Sequence, residues 1–295
     1  MIRCPFWYKY MKKSIPWKFL VAVLLIVLLL VGGSVGYLRE KSDIFQQLNG
    51  KLQIHFLDVG QGDAALLILP TGERIMVDTG TRESGEKILA HLAKWKVDYI
   101  DYVILSHTHS DHAGGLELLE EQIGVGKILY SGIAPEKSHA PTQELHAGEY
   151  FDVGDLRFSI LGPLTSTDSE NRSLILRVDF EEMSILFTGD AESEEEELLL
   201  NTCPQLLDVD LLKVAHHGSK NSTSRAFLEA VTPDFAVISA SFDNSYGHPA
   251  PETEERLAEM KCHVYSTHRE GAVIFLSNGH KLVRYQPSQW LEKIL

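Results

Sequence analysis

Cysteine is scarce in this chain of 295 residues, and so are proline and long apolar runs. The three cysteines, Cys4, Cys203 and Cys262, are too few for a disulfide framework and too far apart for a CxxC metal clip. With 11 prolines and 22 glycines, the chain is neither collagen-like nor a low-complexity polymer. Its 44% hydrophobic and 23% charged residues are typical of a folded protein.

One long apolar run is present, at the N-terminus, which excludes a polytopic membrane protein and a many-helix channel. Residues 1–18 carry five basic residues and no acidic one, and Phe19–Leu38 then contains no charge. The pattern predicts a basic cytoplasmic N-terminus (1–18), a transmembrane anchor (19–38), a linker (39–49) and a soluble domain (50–295) outside the cytoplasm. The run also has the length of a signal-peptide core, with Ser34-Val35-Gly36 as a cleavage site, so secretion after cleavage is the alternative.

Basic charge is also scarce after the N-terminus. Five of the 27 basic residues and none of the 41 acidic residues lie in 1–18, which leaves the rest with a formal charge of about −19. This excess argues against a broad surface for duplex DNA, because such surfaces cluster lysine and arginine. Neither GxxxxGK[ST] nor GxGxxG occurs, so no nucleotide cofactor is expected.

Short runs rich in valine, isoleucine and leucine predict strands, and the stretches between them include five predicted helices. The strands are expected at 52–59, 64–69, 74–77, 99–105, 158–161, 173–178, 184–188, 211–214, 235–239, 263–265 and 272–276, and the helices at 86–94, 116–122, 194–200, 225–230 and 253–260. No linker or repeat divides them, so one mixed α/β domain is expected. Four strands are followed by polar residues, at Asp78, His107, Asp190 and His216, where α/β enzymes place their chemistry.

The densest group of metal-capable side chains follows the strand 99–105. It comprises His107, His109, Asp111 and His112. Imidazoles and a carboxylate on an irregular loop at a strand end can converge on a divalent metal. Further ligands are expected from the later strand ends, where a carboxylate at Asp190 could bridge two cations roughly 3.5–4 Å apart.

The loop 107–112 reads HxHxDH, and with it the chain resembles the metallo-β-lactamase superfamily. More narrowly, the segments FLDVGQGDA (56–64), NRSL (171–174), LKVAHHGS (212–219) and NSYGHP (244–249) resemble the extracytoplasmic domain of ComEC-type DNA-uptake proteins. The resemblance covers about residues 50–285. It implies a four-layer αββα sandwich with metals at one edge between two mixed sheets, and a hydrolase activity.

The resemblance also implies a set of metal ligands divided between two sites. The first two histidines would hold one ion together with Asp190, and the remaining three residues would hold the other with the same shared Asp190. The implied ligands are His107, His109, Asp111, His112, Asp190 and His216.

Two more positions follow from the family's motifs. Asp78, in the segment VDTG, would brace the ligand loop. Asn171 stands where many members of the superfamily place a third histidine. Because an amide carbonyl is a neutral oxygen ligand, this site could take manganese as well as zinc, or stay partly occupied. The expected cofactors are two divalent ions, zinc or manganese.

The expected reaction is hydrolysis of a phosphodiester by a hydroxide that bridges the metals. The acidic composition leaves small and teichoic-acid-type substrates open beside DNA. Asp111 is expected to orient that hydroxide, and His217 or His248 to protonate the leaving oxygen. Lys213 and Ser219, beside the HHGS motif, are expected to contact the substrate or to support the ligands. For Lys213 the alternative is a strand-end residue that faces solvent or pairs with an acid.

Two other functions remain open from the sequence. Hydrolysis of an ester, thioester or lactam is one, because the same metal-activated hydroxide attacks carbonyl groups and the fold hosts many substrates. The other is a non-catalytic, metal-binding component of a surface or DNA-uptake assembly. Intact ligand positions argue against that second reading. The oligomeric state is not predicted.

Overall fold

The computed structural model describes residues 17–136, 138–164 and 173–286. The chain divides into two units between Asn49 and Gly50. In the first unit, helix α1 spans Trp17–Leu48. Its segment Trp17–Ser34 is long and apolar enough to cross a membrane, a test that signal sequences also pass. This helix is therefore a candidate membrane span.

The second unit contains, among the described residues, two mixed sheets and seven further helices. The strands are β1 (Leu52–Phe56), β2 (Ala65–Ile68), β3 (Arg74–Val77), β4 (Ile100–Ile104), β5 (Val125–Tyr130), β6 (Thr142–Glu144), β7 (Tyr150–Val153), β8 (Leu156–Gly162), β9 (Ile175–Phe180), β10 (Met183–Phe187), β11 (Leu211–Lys213), β12 (Phe235–Ile238), β13 (His263–Ser266), β14 (Val273–Ser277) and β15 (Leu282–Tyr285). The helices are α2 (Gly85–Lys94), α3 (Ser110–Ala113), α4 (Leu116–Gln122), α5 (Ser193–Thr202), α6 (Arg225–Val231), α7 (Pro251–Glu259) and α8 (Thr267–Glu270).

The first sheet has the strand order β15-β14-β1-β2-β3-β4-β5-β6, and the second has the order β13-β12-β11-β10-β9-β8-β7. Every predicted strand and helix has a counterpart in the structure. Four strands were not predicted: β5, β6, β7 and β15. Three of them lie at sheet edges and lack a continuous buried face; all three residues of β6 are exposed.

Three apolar clusters fill the spaces between four layers. The central cluster joins the two sheets and includes Phe56, Phe158, Phe187 and Phe275, with the Phe56 and Phe187 rings 5.9 Å apart. A second cluster packs α2 and α4 on the first sheet, and a third packs α5, α6 and α7 on the second. This arrangement confirms the expected four-layer αββα sandwich.

Parallel strands bring the polar strand ends to one edge of the sandwich. β3 and β4 are parallel neighbours in the first sheet, and β10, β11 and β12 are parallel in the second. The carboxyl ends of parallel neighbours meet at the same sheet edge. The loops that follow these strands therefore converge on a common site.

Candidate metal centre

Two glycines allow the loop after β4 to pack tightly on the loop after β3. A side chain at Gly114 would collide with the Ser110 carbonyl oxygen, and one at Gly115 would collide with the Thr79 carbonyl oxygen. The Thr79 amide donates to the His112 carbonyl oxygen at 2.6 Å. The short helix α3 is thereby held against the first sheet, with His112 fully buried.

Asp78 braces this ligand loop. Its carboxylate accepts hydrogen bonds from the Ser106 amide and hydroxyl, each at 2.7 Å, and from His112 Nδ1 at 2.9 Å. The backbone of Asp78 is left-handed, with φ of 59°, a strained conformation for a residue other than glycine. Burial raises the pKa of Asp78, although His112 opposes the shift.

A first group of donor atoms comes from His107, His109 and Asp190. His107 Nε2 lies 3.0 Å from His109 Nδ1 and 3.9 Å from Asp190 Oδ2. The other ring nitrogen of His107, Nδ1, contacts Ser106 Oγ at 3.0 Å, so Nε2 is the nitrogen that faces the donor group. Burial, together with His112, lowers the pKa of His107 to about 3, so the ring is neutral as metal binding requires. Asn171, the other residue expected here, lies outside the described residues.

A second group comprises Asp111, His112, Asp190 and His217. His112 Nε2 lies 3.1 Å from Asp190 Oδ1, and His217 Nε2 lies 3.6 Å from the same oxygen. His217 Nε2 is also 3.2 Å from Asp111 Oδ2. Asp190 thus belongs to both groups and directs a different oxygen toward each. A carboxylate placed in this way could serve two ions, one in each group.

The structure brings His217, rather than His216, into the second group. Both residues lie in the turn Ala215–Gly218 with left-handed backbones, at φ of 54° and 47°. The turn buries His217, and the half-buried His216 lies at the margin, with Nε2 3.6 Å from Asp190 Oδ2 and Nδ1 3.3 Å from Glu192 Oε1. The family resemblance had implied His216 as the ligand, and proton donation was expected from His217 or His248.

The donor atoms fit a divalent metal in number, chemistry and orientation. His112 Nε2 and Asp190 Oδ1 are both buried and make no hydrogen bond, as expected of two ligands that face one ion. In the second group, the other nitrogen of each histidine is held by an oxygen, His112 by Asp78 and His217 by the Ser239 carbonyl at 3.0 Å. Such partners fix the tautomer of metal-binding histidines. Mixed imidazole and carboxylate donors suit zinc and manganese.

The charges of the site are strongly coupled. Burial acts to raise the pKa of Asp190, but His112, His217 and His216 hold it well below its usual range. Burial acts to lower the pKa of His217, but Asp63 and Asp111 raise it to about 9. A metal that binds at His217 Nε2 must therefore displace a proton.

The remaining predicted residues lie beside the donor groups rather than among them. Lys213 is buried, and its Nζ lies 2.7 Å from Asp63 Oδ2, so it pairs with an acid and does not face solvent. Ser219 is buried in a turn, where its hydroxyl accepts from the Asn221 amide at 3.3 Å. The His248 ring is 5.5 Å from that of His216. Burial, with His216 and His217, lowers the pKa of His248.

Sequence reasoning missed Asp63. It lies in the loop between β1 and β2, within the segment GQGD that carries part of the family resemblance. Burial acts to raise the pKa of Asp63, but Lys213 and His217 lower it below its usual range. The available signal was an acidic residue between the two buried strands β1 and β2, but its partner Lys213 lies on the other sheet.

Comparison with known proteins decides the family. The model of the metallo-β-lactamase superfamily matches residues 57–241. This chain belongs to the metallo-β-lactamase superfamily. Its curated relatives include the ComE operon protein 3 of Bacillus subtilis, which is 29% identical over 78% of this chain and 34% of that protein. The Recombination protein 2 of Haemophilus influenzae is 36% identical over 78% of this chain and 29% of that protein. The Competence protein ComA of Neisseria gonorrhoeae is 30% identical over 84% of this chain and 35% of that protein.

These findings confirm the resemblance to competence proteins of the ComEC type. This metallo-β-lactamase-fold chain spans about a third of the length of the curated relatives that it matches. Among solved structures, the metallo-β-lactamase-fold protein YhfI of Bacillus subtilis superposes with a TM-score of 0.56 at 13% identity, over 77% of this chain and all of that one. The fold binds divalent metals and is generally hydrolytic, which places the chain with the metal-dependent hydrolases.

Proposed function

We propose that this chain hydrolyses phosphodiester bonds, with DNA as the substrate class and two divalent ions, zinc or manganese, as cofactors. The observation that carries the proposal is the position of Asp190, whose two oxygens face two separate groups of histidine and aspartate donors. The curated relatives named for competence and recombination support DNA as the substrate class.

The ligands divide as the geometry groups them. His107 and His109 would hold one ion, Asp111, His112 and His217 would hold the other, and Asp190 would offer an oxygen to each. His217 thus takes the ligand position that the sequence had given to His216. When bound, the two ions activate water at neutral pH and stabilise the negative charge that develops on phosphorus-bound oxygens.

The residues of this chain supply orientation and proton transfer. Asp111 Oδ2 accepts a hydrogen bond from His217 Nε2 at 3.2 Å, and we assign to its carboxylate the orientation of the attacking water. His248 remains the candidate for proton transfer to the leaving oxygen. It is half-buried, and its ring lies 5.5 Å from that of His216, beside the donor groups.

Exposed aromatic side chains favour a single strand over a duplex. Phe242 and Tyr246 are 86% and 71% exposed on the loop that carries His248, and the Tyr246 ring stacks on His248 at 5.9 Å. Aromatic side chains bind single-stranded nucleic acid by stacking on its bases. This mode needs fewer basic surface residues than the binding of a duplex through its phosphates. An acidic domain with aromatic rings beside its donor groups is suited to that mode.

The full chain in detergent, loaded with zinc or with manganese, provides the test. Turnover of bis-p-nitrophenyl phosphate and of labelled single-stranded DNA is expected, and Asp190→Asn should abolish both. The matched control is Asp155→Asn, because Asp155 is an exposed carboxylate in the turn between β7 and β8. Hydrolysis of p-nitrophenyl acetate without phosphodiester turnover would indicate that the substrates are carbonyl compounds and would contradict the proposed phosphodiesterase. Two bound metals with no turnover on any of these substrates would favour a binding component.

We further propose that residues 50–295 form the catalytic domain outside the cytoplasm and that residues 19–38 anchor it, after a basic segment at 1–18 and before a linker at 39–49. The apolar segment Trp17–Ser34 supports an anchor. Protease treatment of intact cells should digest the domain while a cytoplasmic marker survives. A protected domain would contradict this topology, and a freely released one would indicate cleavage of a signal peptide.

A further inference from the structure

A buried ion pair lies directly behind His217. Asp63 Oδ2 is 2.7 Å from Lys213 Nζ, and the two side chains are 7% and 4% exposed. The other carboxylate oxygen, Asp63 Oδ1, lies 3.3 Å from His217 Nδ1. One carboxylate therefore links the lysine to the ring nitrogen opposite the one that faces Asp111 and Asp190.

The chain holds Asp63 between the loops that carry the ligands. Its amide donates to the Asp111 carbonyl oxygen at 3.0 Å, and its own carbonyl accepts from the Gly80 amide at 2.8 Å. Gly62, at φ of 146°, allows this approach, because a side chain there would collide with the Asp111 carbonyl oxygen. Asp63 is thus fixed to the first sheet by its backbone, and its side chain reaches Lys213 and His217 on the second.

Stability alone does not account for such a pair. Apolar residues of similar volume often replace a buried ion pair without loss of stability. The specific contribution of Asp63 is a carboxylate oxygen, Oδ1, that lies 3.3 Å from His217 Nδ1 on the side where this nitrogen donates to the Ser239 carbonyl oxygen at 3.0 Å. Groups packed against this nitrogen keep the other nitrogen, Nε2, directed at the donor group.

We propose that Asp63 and Lys213 are positioning residues for the metal centre. Lys213 holds the Asp63 carboxylate in place, and Asp63 holds the His217 ring with Nε2 toward Asp111 and Asp190. The pair thereby sets the affinity of the second donor group for its ion. This inference rests on the metal centre proposed above, and it assigns to Lys213 a supporting role instead of a contact with substrate.

The test is the double variant Asp63→Asn/Lys213→Met, compared with each single variant in the full chain. Each single change leaves a buried charge without its partner and should destabilise the metal-free protein. The double change removes both charges at similar volume, so the stability of the metal-free protein should recover. The affinity of the second ion, measured by stepwise zinc titration against a chromophoric chelator, should remain roughly 10–100-fold weaker than in the wild type.

Two further measurements separate positioning from folding. In the cobalt-substituted protein, the visible absorption bands of the second ion should change in the double variant, whereas those of the first should not. The matched control is Arg177→Met/Asp179→Asn, which removes a pair with Nε and Oδ1 2.8 Å apart on β9. That control should leave both affinities and the spectrum unchanged.

The possible results distinguish this inference from the proposed function. Wild-type protein that binds no metal would overturn both. Wild-type protein with two ions, together with a double variant of unchanged second-site affinity and spectrum, would overturn only the positioning role. If the double variant fails to fold, the ring nitrogens of His217 in the conservative Asp63→Glu variant, which keeps both charges but displaces the carboxylate, provide the readout. An unchanged nitrogen-15 spectrum of that ring would refute the proposal.

Discussion

Removal of the His217 ring is expected to empty one of the two metal positions, whereas removal of the His216 ring is not. His217 Nε2 lies within 3.6 Å of carboxylate oxygens of both Asp111 and Asp190. His216 contacts Asp190 alone among the proposed ligands, at 3.6 Å, from a half-buried position at the margin. The two histidines are adjacent and chemically identical, so each is the matched control for the other.

The size of the effect can be bounded from the neighbours of the ligand. Loss of a group that only supports a ligand typically weakens metal binding about 10–100-fold. Loss of the ligand itself should have an effect beyond that range. His217→Ala is therefore expected to weaken the affinity for the second ion by about 100-fold or more, which corresponds to about 2.7 kcal/mol of binding free energy. His216→Ala should change the affinity by less than about tenfold, since it removes no donor from either group.

The assay is stepwise zinc binding to the full chain in detergent, followed by competition with a chromophoric chelator and by the metal content after dialysis. Wild type and His216→Ala should each retain two ions, and His217→Ala should retain one. The reasoning is refuted if His216→Ala loses the second ion while His217→Ala keeps it. Circular dichroism of each metal-free variant controls for loss of fold.

Three other expectations follow from individual contacts. Asp78→Ala leaves the Ser106 amide and His112 Nδ1 without their acceptor, so urea unfolding of the metal-free protein should show a loss of about 2–4 kcal/mol; an unchanged midpoint would rule out the bracing role. Burial and Lys94 hold the pKa of His91 at about 4 in the folded chain, so the free energy of unfolding should fall as the pH drops from about 6.5 toward 4. His91→Gln should reduce that loss at pH 5 by on the order of 1–2 kcal/mol. Parallel curves of stability against pH for the two proteins would refute this assignment. Phe242→Ala/Tyr246→Ala should raise KM for single-stranded DNA several-fold, by lost stacking, but not KM for bis-p-nitrophenyl phosphate; equal effects on both substrates would argue against stacking.

Most strands and helices and the location of the site could be predicted because they depend on local patterns, whereas the four-layer arrangement was implied by the family resemblance. Apolar runs give the buried strands, and polar residues at the ends of parallel strands must meet at one edge. The loop from His107 to His112 places four donors within six residues, so their convergence needs no long-range information. The missed strands β6, β7 and β15 lie at sheet edges, where burial leaves a weaker pattern in the sequence.

The roles of single residues depended on geometry that the sequence does not encode locally. His216 and His217 are indistinguishable as letters, and the left-handed turn Ala215–Gly218 decides which of them is buried beside Asp190. Asp63 and Lys213 are 150 residues apart on different sheets, so their 2.7 Å ion pair becomes evident only in the fold. The position of Asn171 relative to His107 and His109 lies outside the described residues.

Anomalous diffraction from crystals of the protein grown with manganese or zinc tests the metal centre most directly. Two peaks are expected about 3.5–4 Å apart, with Asp190 between them, one beside His107 and His109 and the other in contact with His217. A single peak, no peak at this edge of the sandwich, or a second ion bound by His216 with His217 turned away would contradict the proposed centre.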